Sequence, residues 1–72
     1  MRYTLFNADC TEAGRFPDLQ KTMDAAKPGM YAHDTKPGAR WPWDAFYQSG
    51  IGLIGQPCDT ETEARAVAQK GQ

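Results

Sequence analysis

The sequence predicts an α+β domain: a small two-layer sandwich in which a mostly antiparallel sheet of three or four strands carries two helices on one face, in the order β-α-(β)-β-β-α. Three observations predict it. Apolar residues alternate with period two near the start of the chain and again over residues 41–47. Two segments with helical spacing open on acidic or capping residues. The 72 residues suffice for one core, residues 1–72 as a single compact domain, and are too few for a dinucleotide-binding fold or a barrel.

Over residues 1–8, Met1, Tyr3 and Leu5 fall on one face of a strand and Arg2, Thr4 and Phe6 on the other, so both faces are partly covered. Residues 7–14 are polar and aperiodic and read as a loop. Pro17-Asp18 opens a helix, because Pro lacks the N–H that would be unpaired at the first helical position and Asp favours the positive helix end. Leu19, Met23 and Ala26, with Phe16 a turn earlier, form its inward stripe, while Gln20, Lys21 and Asp24 face water. Lys27-Pro28-Gly29 stops it.

Met30–His33 is a short strand, and Lys36-Pro37-Gly38 suits a type II turn. Trp41, Trp43, Ala45 and Tyr47 then share one face of a strand over 40–48. Pro42 cannot donate to a ladder, which places that end at a sheet edge or a bulge. Ser49-Gly50 fits a two-residue hairpin returning through 51–56. Thr60 and Glu63 have capping-box spacing, and a helix over 60–70 follows with Ala64, Val67 and Ala68 inward. Tyr3–Lys27 and Phe46–Lys70, equal in length, each read as strand, turns and helix, which hints at a pseudo-repeat.

Eight Lys and Arg against nine Asp and Glu leave a net charge of −1, so no global field attracts nucleic acid or an anionic membrane. A mean hydropathy of −0.68 and short apolar runs exclude a spanning helix, and the first residues lack a signal peptide's apolar stretch. The expectation is a cytoplasmic protein with no membrane partner. Cys10 and Cys58 are too few and too far apart for a zinc knuckle and read as idle or buried thiols. If paired they would close a long loop worth about 4 kcal/mol.

Enzyme constellations do not assemble from this inventory. His33 is the single His and Ser49 the single Ser, set in a hairpin turn. His33 and Asp34 are adjacent, which in a strand points them to opposite faces. Asp59, Glu61 and Glu63 cluster where a helix start explains them. Glycines 50, 52 and 55 do not form the strand-to-helix phosphate fingerprint. No metal spacing is present, and no cofactor is expected.

One stretch stands apart. Residues 27–43 hold Lys27, Lys36 and Arg40 against Asp34 alone, interleaved with Tyr31, His33, Trp41 and Trp43. Such residues carry interface energy because they bury much area at little entropy cost. Two Trp on one strand face equally suit the core of a small protein. The sequence therefore points to a non-enzymatic interaction protein, a small regulator or inhibitor of the kind phages and mobile elements use, binding a larger protein or complex through Tyr31, His33, Lys36, Arg40, Trp41 and Trp43. A nucleic-acid module using segment 27–43 is the alternative, weak because three cations release few counterions. A structural homo-oligomer pairing through an edge strand is the third.

Overall fold

The computed structural model describes residues 1–70 and is an α+β structure: one five-stranded antiparallel sheet with two helices. In chain order the elements are β1 (Tyr3–Phe6), β2 (Glu12–Phe16), α1 (Leu19–Ala25), β3 (Tyr31–Asp34), β4 (Trp43–Ser49), β5 (Gly52–Cys58) and α2 (Glu61–Lys70). Across the sheet the strands run β2-β1-β3-β4-β5. No helix among the described residues is long and apolar enough to cross a membrane.

The class matches the expectation, and the layering departs from it. The helices lie on opposite faces of the sheet, not on one. Adjacent strand residues point to opposite faces, and Leu5, Ala32 and Phe46 pack with Phe16, Leu19 and Met23 of the α1 side, whereas Phe6, Tyr31 and Ala45 pack with Ala64, Val67 and Ala68 of α2. The central strands are thus apolar on both faces. This is why Phe6 broke the alternation.

The strand missed in the sequence is β2, expected as loop. Its Glu-Ala-Gly-Arg-Phe has no apolar alternation because it is an edge strand, mostly exposed, with only Gly14 and Phe16 turned toward cover. It pairs Tyr3 with Phe16 and Leu5 with Gly14, and the register shifts between Leu5 and Phe6. The turn before it carries Cys10 at φ 74, with Cys10 N–H donating to Asn7 O at 2.9 Å.

Pro42 is not at a sheet edge. β4 lies between β3 and β5, and Pro42 sits just before the strand, where its carbonyl accepts from Asp34 N–H at 2.7 Å. The missing N–H is therefore harmless, and the edges open to pairing are β2 and β5. The β4–β5 hairpin turns one residue later than expected: Ser49 pairs with Gly52, leaving Gly50-Ile51 as the loop. Ile51 N–H donates to Ser49 Oγ at 3.2 Å, which tightens the turn.

Asp18, rather than Pro17, starts α1. Asp18 is the N-cap, and its carboxylate accepts Lys21 N–H at 2.8 Å. Thr22 is fully buried, its hydroxyl donating to Asp18 O at 2.8 Å. The C-terminal helix follows the capping expectation: Glu63 N–H donates to Thr60 Oγ1 at 3.1 Å and Glu63 accepts from Asp59 N–H at 3.3 Å.

The equal halves become intelligible in three dimensions. β1-β2-α1 and β4-β5-α2 are each a hairpin followed by a helix, and β3 stands between them. A half-turn about β3 maps β1 onto β4, β2 onto β5 and α1 onto α2, and it exchanges the faces.

The two cores rest on few large side chains. Phe46, at 0% exposure, joins β4 to Met30, Leu5 and α1, and a Cβ on Gly55 would stand 3.1 Å from its ring. Phe46→Ala is expected to cost about 3–5 kcal/mol by urea unfolding. Ile51→Ser, at a side chain 93% exposed, should stay within about 0.5 kcal/mol of wild type.

Candidate binding site

The six residues singled out by sequence divide between the two faces. Tyr31, His33 and Trp43 lie on the α2 face; Lys36, Arg40 and Trp41 lie in the β3–β4 loop and line a cleft on the α1 face. Trp41 does not continue the Trp43–Tyr47 face, because it precedes β4.

Tyr31 leaves the candidate surface altogether. It is 1% exposed, stacked on Phe6 with centroids 5.2 Å apart, and its hydroxyl donates to Glu61 at 3.3 Å. Burial, together with Cys10 and Glu61 nearby, raises its pKa. Trp43 is half-buried in the same ring cluster, 6.1 Å from Tyr31 and stacked on His33 at 4.3 Å. His33 therefore faces away from Asp34 and Asp44, so the imidazole cannot act with either carboxylate. Both thiols are free: Cys10 is exposed, and buried Cys58 has its pKa pushed up to about 11, chiefly by burial.

The cleft has a volume of about 400 Å3. Its floor is sheet and its rim is loop. α1 covers the β1–β2 half of this face, so the row Leu5, Ala32, Asp44, Pro57 runs out from under the helix toward β5. Asp44 and Pro57 line the cleft there, with Tyr3, Asp34 and Leu19 beside them. The rim is Lys36, Gly38, Ala39, Arg40 and Trp41. The Lys-Pro-Gly turn forms as expected, with Gly38 at φ 77 and Ala39 N–H donating to Lys36 O at 3.3 Å.

Two carboxylates in this cleft have opposite environments. Asp34 accepts Arg2 Nε and Nη2, each at 2.8 Å, and Lys36 N–H at 3.1 Å. The Arg2 guanidinium holds its carboxyl below the usual range. Asp44 is 7% exposed, and no donor among the described residues reaches its carboxylate. Burial, and secondarily the charge of Asp34, pushes its pKa up to about 6. Among the described residues no fully sealed side-chain N or O lacks a partner, so the Asp44 carboxylate keeps some contact with solvent, and Asp44 lines the cleft.

Above it, Trp41 is 45% exposed and carries the Arg40 guanidinium 4.5 Å from its ring centroid. Asp34, Asp44, Arg2 and Tyr3 were not anticipated as site residues. A signal for Asp44 was present: it shares a strand face with Phe46, and a face that takes a buried Phe is covered, which implies a buried carboxylate.

The chain matches no known protein-family model, no curated protein and no solved structure.

Two outcomes follow from this geometry. With Trp43→Phe, the remaining Trp41 emission should be red-shifted and readily quenched by acrylamide, whereas Trp41→Phe should leave a bluer, better protected signal from Trp43. Folding raises the Asp44 pKa, so the folded state binds that proton more tightly than the unfolded chain. Stability from this group is greatest below about pH 4, declines as pH rises through about 6, and is flat above. Asp34 acts oppositely: its contribution is present above the unfolded value and is lost as pH falls through its lowered pKa. Asp44→Asn should therefore raise stability by about 2 kcal/mol at pH 7.5, a gain that shrinks toward pH 4 in denaturant titrations.

Proposed function

We propose that this protein is a non-enzymatic interaction module, a small cytoplasmic regulator or inhibitor that docks on a larger protein through the β3–β4 loop. The observation that carries this reading is the exposed Trp41 under Arg40 at the rim of an open cleft. A large flat ring left half in water, in a chain with few other large exposed apolar side chains, suits an interface anchor. The loop is also pre-organised. Asp34 N–H donates to Pro42 O, Thr35 N–H and hydroxyl both donate to Arg2 O, and the Pro37-Gly38 turn closes between them, so little entropy remains to be lost on binding. The docking surface is accordingly Lys36, Arg40 and Trp41 from the sequence set, with Arg2 and Asp44 added. His33 and Trp43 lie on the other face and take no part in it.

The test places p-benzoylphenylalanine at Ala39, which lines the cleft and leaves Trp41 intact. Irradiation in the cell of origin should yield one discrete protein adduct. That protein, once purified, should bind the wild-type chain by calorimetry and lose at least about tenfold in affinity with Trp41→Ala. Adducts that vanish with nuclease would favour the nucleic-acid alternative, adducts to the same chain would favour a homo-oligomer, and unchanged affinity in Trp41→Ala would overturn the loop as the docking surface.

A further inference from the structure

We infer that the cleft receives a basic side chain, lysine or arginine, of the bound protein, with the cationic head on the Asp44 carboxylate and the aliphatic stem along Leu19, Pro57 and Trp41. This rests on the docking reading above and names the chemistry that the same surface recognises.

Of the two carboxylates in the cleft, Asp44 is the one that no donor among the described residues reaches. It is 7% exposed, accepts from no donor among the described residues, and lines the cleft. Asp34 is already engaged within the chain, Oδ1 by Arg2 Nε and Lys36 N–H and Oδ2 by Arg2 Nη2. A single available carboxylate suits a monocation and is too little for a divalent metal, which takes several oxygen ligands. Arg2 is paired with Asp34, and Lys36 and Arg40 stand at the rim, so no cation among the described residues bonds the Asp44 carboxylate.

The shape agrees with the charge. Lysine and arginine bury their stems on apolar surface while the head reaches a polar group, and Leu19, Pro57 and the indole of Trp41 provide that surface around a carboxylate floor. A volume of about 400 Å3 accommodates one such side chain with water. Lys36 and Arg40 at the rim repel an isolated cation, so the basic residue is flanked by acidic ones that pair with the rim. The recognised segment is of mixed charge, acidic on either side of one lysine or arginine.

Recognition of this kind depends on pH. The groups that face or sense Asp44 are Asp34 and Tyr3 on the neighbouring strands, Cys58 on β5, and Lys36 and Arg40 from the loop. Asp44, its pKa pushed up to about 6 by burial, gains a proton as pH falls from 7.5 to 5.

The test uses the full chain, 15N-labelled, and two blocked peptides: acetyl-Glu-Glu-Lys-Glu-Glu-amide and its counterpart with norleucine in place of lysine. Titration by NMR at pH 7.5 should show the lysine peptide shifting amides at Leu19, Trp41 and Asp44, with the norleucine peptide at least about tenfold weaker. Asp44→Asn, checked for an intact fold by its own spectrum, should abolish the difference between the peptides. Affinity for the lysine peptide should fall about tenfold from pH 7.5 to pH 5. Equal binding of both peptides, no binding of the lysine peptide at millimolar concentration, or a preference that survives in Asp44→Asn overturns the inference. The docking reading is judged separately with the captured protein: if Trp41→Ala abolishes that binding and Asp44→Asn leaves it intact, the surface stands and the basic-side-chain inference falls.

Discussion

The bidentate pair between Arg2 and Asp34 is the constraint on which the β3–β4 loop and the cleft beneath it depend. It joins the residue before β1 to the last residue of β3, 32 positions apart, with both contacts at 2.8 Å. Asp34 is almost wholly buried, so the guanidinium supplies what water no longer can. Around that anchor the loop is stitched down: Lys36 N–H donates to the same carboxylate, and Thr35 donates to the carbonyl of Arg2. Because the loop is tied at its base, Arg40 and Trp41 are held over the sheet instead of sweeping through solvent.

The same pair creates the chemistry beside it. A carboxylate saturated by Arg2 remains ionised, and its charge adds to the burial that disfavours ionisation of Asp44. Two like groups on neighbouring strands are thereby pushed apart, one firmly anionic and one poised near neutrality. Evenly solvated aspartates would show no such contrast. The uncompensated burial of Asp44 lowers stability at neutral pH.

The symmetry of the fold decides where that can happen. Each hairpin sends its helix to the opposite face, so α1 covers the β1–β2 half of one side and α2 covers β3 to β5 on the other. Each face is left with an uncovered half. On the α2 face Phe6, Tyr31, Trp43 and His33 form a ring stack that continues the core under α2. On the α1 face the uncovered half is the cleft, where the sheet row continues into Asp44 and only the loop stands above. The cleft lies where α1 stops short.

Local chemistry determined much of this protein from sequence alone. The capping box of Thr60 and Glu63, the Lys-Pro-Gly turn, the stripes of Leu19 and Met23 and of Ala64, Val67 and Ala68, and the alternation through Trp43, Ala45 and Tyr47 are effects within a few residues, and each appears in the structure near its expected place. β2 was hidden because an edge strand needs no apolar face, and its existence depends on pairing with β1. The opposed helices, the separation of Trp41 from Trp43 and the partnering of Asp34 by Arg2 were decided only in the tertiary structure. Those depend on which residues far apart in sequence meet, and a carboxylate's role is set by whether the chain brings it a cation, as it does for Asp34 and does not for Asp44.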